Sequence, residues 1–225
     1  MGKNLLQALF ENSDTDSDVN EEDYSLVPEQ SQCRIGTVDY LTFGNVNFKI
    51  VEDTSKGCGG KIWESASVIV NHILHVSKLQ PNFFQNKNFL EVGAGTGMAG
   101  LVLAQTAANL NQQCCVAITD LEYCLSIIQT NLELNLDENG KKNCLINELK
   151  WGLEIPKILD KSYDYILAAD CVYLESLFDL LIQTFKDLCP INSKTQIILV
   201  SKKRRRADKK FLVKLKKFFY VEEVY

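Results

Sequence analysis

Residues 88–100 read NFLEVGAGTGMAG, and this stretch decides the fold. The apolar residues before Gly93 are typical of a buried strand, and a helical pattern begins at Met98. Between them, glycines stand at positions 93, 95 and 97. Glycine tolerates positive φ and lets the backbone approach a ligand closely. Such a turn at the carboxyl end of a parallel strand predicts a small-molecule binding site.

Strands and helices alternate along the rest of the chain. The strands are predicted at 88–93, 114–119, 143–149, 163–170, 195–201 and 220–225. The helices are predicted at 64–79, 98–110, 121–135, 174–188 and 207–219. Upstream, alternating apolar residues between Arg34 and Glu52 predict a strand or hairpin. The pattern favours an α/β fold in which helices cover both faces of a mostly parallel sheet.

Composition and charge exclude several classes of protein. The chain has 225 residues, 46% of them hydrophobic, which suffices for a core without disulfides or a structural metal. The net charge of −5 argues against a general nucleic-acid binder, and no apolar run reaches the length of a membrane span. The eight cysteines include no CxxC pair, so we expect reduced thiols and a cytoplasmic protein. His72 and His75 lack a third ligand, so no metal site is predicted.

The N-terminal segment differs from the rest. Residues 11–31 contain eight acidic side chains and no basic one. A segment with low hydrophobicity and charge of one sign buries too little apolar surface to offset its ordering entropy. We therefore expect residues 1–33 to form a flexible acidic arm and residues 34–225 to form the folded domain.

The glycine turn alone leaves two ligand classes open. Residues 95–100 match GxGxxG, and Asp120 lies 20 residues further on, so a nicotinamide dinucleotide and an adenosyl ligand both fit. Glu91, beside the turn, suits a positively charged ligand and would repel a pyrophosphate. The chain after Asp120 continues the same sheet and contains no YxxxK, which disfavours a dehydrogenase. These features favour the adenosyl ligand.

Five segments, in order, carry a family resemblance. They are Ile62-Trp63-Glu64, Glu91 to Gly97, Thr119-Asp120, Glu148 to Gly152 (ELKWG) and Ala169 to Tyr173 (ADCVY). In these segments the chain resembles the Rossmann-like, seven-β-strand protein-lysine methyltransferases. The resemblance implies S-adenosyl-L-methionine as cofactor and a Rossmann-like, mostly parallel sheet with a small N-terminal β-hairpin extension.

The resemblance also implies roles for individual residues. The cofactor-binding residues it implies are Trp63, Glu91, Gly93, Ala94, Gly95, Asp120, Trp151 and Ala169. Glu91 faces the amino group of the cofactor, directly or through water, or else caps a helix. Asp170 orients the incoming lysine amine or caps the next helix, and Tyr173 forms a wall of the channel; these two are the implied catalytic residues.

The stretch Ser201–Phe211 is similar to fungal members that methylate translation elongation factor 1-alpha. The expected partner is therefore that protein, with no membrane or direct nucleic-acid partner, and the enzyme is expected to be a monomer. The basic run at 202–217 is open to three interpretations: a solvated helix face, a docking patch and a nuclear-import signal. The family usually has one more strand beyond the position of Tyr225, so we expect either a truncated sequence or a sheet that lacks an edge strand.

Two other functions remain open at this point. One is methylation of a small molecule, and the other is a catalytically silent fold that only binds. The intact glycines, Asp120 and the pair Asp170 and Tyr173 argue against a silent fold.

Overall fold

The computed structural model describes residues 5–11, 35–44, 46–191, 193–202, 204 and 206–224. The strands are β1 (Leu5–Glu11), β2 (Ile35–Phe43), β3 (Val46–Asp53), β4 (Lys87–Val92), β5 (Cys114–Asp120), β6 (Cys144–Glu148), β7 (Tyr165–Ala169), β8 (Gln196–Lys202) and β9 (Tyr220–Val224). The helices are α1 (Glu64–Leu79), α2 (Met98–Asn109), α3 (Glu122–Asn135), α4 (Glu138–Lys142), α5 (Phe178–Leu188) and α6 (Arg206–Leu215).

Seven strands form one sheet in the order β6-β5-β4-β7-β8-β1-β9, and each paired neighbour runs parallel. The strand order reverses at β4, which pairs with β5 on one side and β7 on the other. Ligands of open α/β sheets bind outside the carboxyl ends of the strands at such a switch point. The predicted α/β architecture is confirmed, and so is the hairpin, which β2 and β3 form as a separate antiparallel pair.

The hydrophobic core lies on both faces of the sheet. Phe89 and Leu90 are adjacent in β4 and both are fully buried, but they belong to different clusters. Phe89 packs on the side that contains residues of α1, α2 and α3, and Leu90 packs on the side that contains residues of α5 and α6. Successive side chains of a strand point to opposite faces, so burial on both faces explains why these strands are continuous apolar runs.

The strand β1 was not predicted from the sequence. It lies inside the segment 1–33, which we expected to be an arm, and the rest of that segment is outside the described residues. β1 pairs with β8 (Leu6 opposite Ile197) and with β9 (Leu5 opposite Tyr220). β1 therefore joins β9 to the sheet, and the expectation about a strand beyond the position of Tyr225 stays a prediction. Pairing between segments so distant in sequence leaves no local pattern that could predict it.

Some helix boundaries also differ from the sequence-based ones. Residues Glu175–Leu177 form a 3₁₀ turn, so α5 begins at Phe178 rather than at 174. α6 ends at Leu215, four residues before the predicted end. The unpredicted helix α4 follows Asp137, whose carboxylate accepts hydrogen bonds from two backbone N–H groups of the first turn.

Three further observations concern the described part of the chain. Its seven cysteines form no disulfide bond with one another, and Cys124, Cys171 and Cys189 are buried. Its His, Cys, Asp and Glu side chains form no group that could hold a metal ion. None of its helices combines the length and the apolar character needed to cross a membrane.

Candidate active site

The glycine turn after β4 forms the floor of the site. Gly93 and Gly95 have φ values of 62° and 58°, which side chains other than glycine rarely adopt. A Cβ atom on Gly93 would lie 2.8 Å from the ring of Trp151, and one on Gly95 would lie 2.8 Å from the carbonyl oxygen of Gly59. The turn is therefore packed between Trp151 and the segment Thr54–Gly60, and only glycine fits at both positions.

A cavity of about 360 Å³ opens above this turn. Its wall contains seven of the eight predicted cofactor-binding residues and both predicted catalytic residues. These are Trp63, Gly93, Ala94, Gly95, Asp120, Trp151, Ala169, Asp170 and Tyr173. The carboxyl ends of β4, β5 and β7 meet here, and the cavity wall brings together residues that are up to 110 positions apart in the sequence.

Glu91 is the exception, because this described residue does not line the cavity. It is buried at 2% exposure, and its Oε2 atom accepts a hydrogen bond of 2.8 Å from the backbone nitrogen of Gly100. Gly100 lies in the first turn of α2, where N–H groups have no partner within the helix. The structure therefore supports the helix-cap interpretation over direct contact with a ligand. Burial raises the pKa of Glu91 to about 8, although the Gly100 N–H group acts in the opposite direction.

Asp120 ends β5 and joins the glycine turn to the cavity wall. Its Oδ2 atom accepts a hydrogen bond of 2.7 Å from the backbone nitrogen of Gly95, and Oδ1 accepts one of 2.7 Å from Leu121. Burial raises the pKa of this carboxyl, and hydrogen bonds from the two N–H groups and from the Cys124 side chain counteract the increase. A carboxylate has about four acceptor positions, so about one remains for a ligand hydroxyl group.

The two tryptophans provide flat surfaces at different parts of the wall. Trp151 lies against the backbone of Gly93. The Trp63 indole nitrogen donates to the carbonyl oxygen of Cys58 at 3.0 Å. The Nζ atom of Lys61 and the guanidinium carbon of Arg204 each lie 5.1 Å from the centre of the Trp63 ring. Both tryptophans are partly exposed and line the cavity, so neither is plain core packing.

Asp170 follows β7 in a left-handed backbone conformation with φ of 53°. Its Oδ1 atom accepts hydrogen bonds from the backbone nitrogen of Lys202 at 3.2 Å and from Nη1 of Arg204 at 2.8 Å. Its Oδ2 atom accepts one from Nη2 of Arg204 at 3.0 Å. These donors come from the end of β8 and the segment after it, so the alternative role as a cap of the following helix is corrected.

Tyr173 lies three residues beyond Asp170 in the same wall. Burial raises the pKa of its hydroxyl far above the usual value. The hydroxyl therefore remains protonated at neutral pH and can donate a hydrogen bond, but it does not serve as a base.

Sequence reasoning missed several cavity residues. They include Cys58, Gly59, Lys61, Leu149, Leu180 and Arg204. Arg204 was visible only as part of a basic run. That run directly follows the strand at 195–201, and the carboxyl ends of parallel strands lie at one edge of the sheet. Its position could therefore have indicated that Arg204 lies near the site.

The described part of the basic run is largely paired within the chain. Five of its side chains form ion pairs with carboxylates: Lys202 with Glu64, Arg204 with Asp170, Lys210 with Glu175, Lys214 with Asp179, and Lys216 with Glu223. This arrangement favours the interpretation as a solvated surface over that of a cationic docking patch.

The site fits an adenosyl ligand. Glycines leave the turn open where a Cβ atom would fill it, Asp120 provides an acceptor for a hydroxyl group, and Trp151 provides an aromatic face. The sequence pattern of the family described as lysine methyltransferase matches residues 42–218. The chain belongs to this family.

Individual relatives agree with this assignment. The chain is 34% identical to the protein-lysine N-methyltransferase EFM6 of Saccharomyces cerevisiae, over 88% of this chain and 87% of that protein. It is 31% identical to the protein N-lysine methyltransferase METTL21A of Danio rerio, over 90% and 88%. It is 34% identical to EEF1A lysine methyltransferase 3 of Xenopus tropicalis, over 66% and 60%. These matches confirm the family resemblance found in the sequence. They also confirm the enzyme class and S-adenosyl-L-methionine as the methyl donor of that class.

Proposed function

We propose that this chain is a protein-lysine N-methyltransferase that uses S-adenosyl-L-methionine to methylate translation elongation factor 1-alpha. One observation carries the proposal. A single cavity joins the glycine turn, Asp120 and Trp151 to Asp170 and Tyr173 at the end of the neighbouring strand. A methyl donor and an acceptor amine both need a place in such a cavity.

The cofactor half of the cavity is formed at the ends of β4 and β5. In the proposal, Asp120 accepts a hydrogen bond from a ribose hydroxyl and Trp151 stacks on the adenine. Hydrogen bonds of this kind contribute about 1 kcal/mol each, and stacking of a base on an aromatic ring contributes about 1–3 kcal/mol. When bound, S-adenosyl-L-methionine supplies a methyl group activated by a sulfonium charge.

The acceptor half is formed at the end of β7. A free lysine amine has a pKa of about 10.4, so it must lose a proton before it can act as a nucleophile. Partial desolvation and a nearby positive charge both lower that pKa, and neither requires a strong base in the protein. We assign the positioning of the amine to Asp170 and Tyr173, since positioning alone can lower a barrier by about 7–11 kcal/mol.

The identity of the substrate rests on two likenesses. One relative is named an EEF1A lysine methyltransferase, and the stretch Ser201–Phe211 resembles fungal enzymes that act on the same factor. The cytoplasmic location and the monomeric state expected from the sequence remain predictions.

Purified elongation factor 1-alpha, incubated with the chain and S-adenosyl-L-methionine, provides the test. We expect the intact mass to increase by one or more methyl groups and peptide mapping to place them on one lysine. At a cofactor concentration well below saturation, Asp120→Ala should remove most of the increase, and Asp187→Ala, an exposed change on α5, should not. An unchanged mass of elongation factor 1-alpha after incubation with the wild-type chain would overturn the proposed substrate.

A further inference from the structure

The ion pair between Asp170 and Arg204 lies inside the proposed acceptor site. Arg204 donates to both oxygens of the carboxylate, and the Lys202 backbone donates a third hydrogen bond to Oδ1. Because a carboxylate offers about four acceptor positions, about one remains for another donor. Asp170 can therefore receive one hydrogen bond from a substrate amine while it stays paired with Arg204.

Arg204 is itself fixed by its surroundings. Its backbone nitrogen donates to Oδ2 of Asp208 at 3.0 Å, and its guanidinium carbon lies 5.1 Å from the centre of the Trp63 ring. The Arg204 side chain is 26% exposed and that of Asp170 is 5% exposed. A bidentate arginine over an aromatic ring is geometrically defined, unlike a lysine on a flexible stem.

Other charged and titratable groups face this pair from the elements around it. They are Cys58 and Lys61 before α1, Glu64 in α1, Asp120 at the end of β5, Cys171 and Tyr173 after β7, Lys202 in β8 and Asp208 in α6. Lys202 pairs with Glu64 at 3.4 Å, and Asp120 accepts from the glycine turn. Among the residues that the structure describes, the guanidinium of Arg204 is thus the cation that is bonded directly to the Asp170 carboxylate.

A carboxylate without this partner would oppose the reaction. An opposite charge within about 4–6 Å favours the charged form of an amine. An unpaired Asp170 would therefore bind the substrate lysine as an ammonium ion, which has no free electron pair for the methyl group. The same carboxylate paired with a guanidinium exerts a much smaller net field.

We infer that Arg204 is a positioning residue that cancels the charge of Asp170, so that the site receives the lysine amine without holding it in its protonated form. This role rests on the proposed methylation of lysine. It goes beyond the family resemblance, which assigns no task to Arg204.

A binding measurement tests the role without any protein substrate. Sinefungin is a cofactor analogue that carries an ammonium group in place of the methyl-bearing sulfonium, and S-adenosylhomocysteine lacks that charge. We expect Arg204→Gln to strengthen binding of sinefungin relative to S-adenosylhomocysteine by about tenfold at neutral pH, because the carboxylate then attracts the ammonium. Calorimetry gives both dissociation constants, and S-adenosylhomocysteine serves as the control for an intact fold.

Two further variants separate charge from structure. Arg204→Lys retains the charge, so we expect it to restore the ratio of the wild-type protein. In the double variant Asp170→Asn with Arg204→Gln, the gain in sinefungin binding should disappear, as a double-mutant cycle requires for a direct coupling. An unchanged ratio in Arg204→Gln, or a gain that persists in the double variant, would overturn the inference.

The reaction provides an independent readout. With elongation factor 1-alpha as substrate, Arg204→Gln should move the acidic limb of the kcat profile about one pH unit higher and lower kcat at neutral pH more than it changes KM. If the wild-type chain leaves elongation factor 1-alpha unmethylated while the binding ratio changes as expected, the proposed substrate is wrong and the role of Arg204 stands. If methylation occurs and the ratio is unchanged, the role of Arg204 is wrong and the proposed function stands.

Discussion

Glu91 and Asp120 are carboxylates on neighbouring strands, and their environments give them different tasks. Glu91 is buried beneath the glycine turn and binds the first turn of α2. Asp120 lines the cavity and binds Gly95 from the other side of the turn. Both side chains therefore hold the turn, and Asp120 also faces the ligand.

Stability should depend on pH through Glu91. The pKa of this carboxyl is about 8 in the folded protein, against an ordinary value of 4.5. Between these values the folded state holds a proton that the unfolded state has released, so the free energy of unfolding decreases as pH rises through this window. Glu91→Gln keeps an acceptor for Gly100 and has no proton to lose, so we expect it to remove this part of the decrease.

Urea unfolding across that pH window measures the effect in both proteins. The wild-type curve should slope downward more steeply than that of Glu91→Gln, and the two should run parallel well above pH 8. Equal slopes within the window would show that Glu91 does not titrate as its burial implies.

The affinity for the cofactor should depend on Asp120. Asp120→Ala removes a hydrogen bond to the ribose and leaves the Gly95 N–H group without its acceptor. At about 1 kcal/mol for the ribose bond and about 1 kcal/mol or more for the Gly95 group, we expect binding of S-adenosylhomocysteine to weaken about 30-fold or more. As a control, calorimetry should show that Asp187→Ala binds S-adenosylhomocysteine as tightly as the wild-type protein. An unchanged affinity in Asp120→Ala would contradict the role assigned to Asp120.

At the scale of elements, α3 attaches the hairpin to the domain through two asparagines. The Asn131 side chain accepts from the backbone nitrogen of Val51 at 2.7 Å and donates to the oxygens of Val51 and Thr96 at 3.2 and 3.0 Å. Asn135, one turn later, makes the same two-way contact with Lys49. Helix α3 thus provides hydrogen-bond partners for backbone groups of β3, and it also holds the glycine turn.

Replacement of Asn131 should cost more stability than replacement of Asn135. Asn131 is fully buried, so Asn131→Leu leaves its backbone partners on Val51 and Thr96 without hydrogen bonds, at about 1–3 kcal/mol for each group. Asn135 is more exposed, so water can replace its contacts in Asn135→Leu. We expect urea unfolding to show a loss of about 3 kcal/mol for Asn131→Leu and about 1 kcal/mol for Asn135→Leu. Equal stability losses in the two variants would contradict the assignment of Asn131 as the stronger contact between α3 and the hairpin.

Periodicity predicted most elements to within a few residues, and α1 was predicted with its observed bounds. The apolar strands next to the glycine turn could be predicted because their local composition can be read directly from the sequence. Helix ends were less predictable, since the 3₁₀ turn at Glu175–Leu177 depends on how the chain leaves β7. The pairing of Asp170 with Arg204 joins two segments through tertiary packing, and residue types alone could not reveal it.

At the scale of the whole molecule, β1 completes the sheet between β8 and β9. Proline lacks the N–H donor that a central strand needs. We therefore expect Leu6→Pro or Ala8→Pro to lower the unfolding free energy and to speed hydrogen exchange in β8 and β9. Ser17→Pro, in the acidic segment outside the described residues, serves as the control. Unchanged exchange in β8 and β9 would show that β1 does not hold these strands together.

The central claim is that this fold transfers methyl groups to a protein. Its most direct test adds the chain and S-adenosyl-L-methionine labelled in the methyl group to a cell extract that lacks the endogenous enzyme. We expect the label in one protein band of the size of elongation factor 1-alpha, and no such band with Asp120→Ala. Label that appears in small molecules alone, or in no product while the cofactor still binds, would contradict the claim.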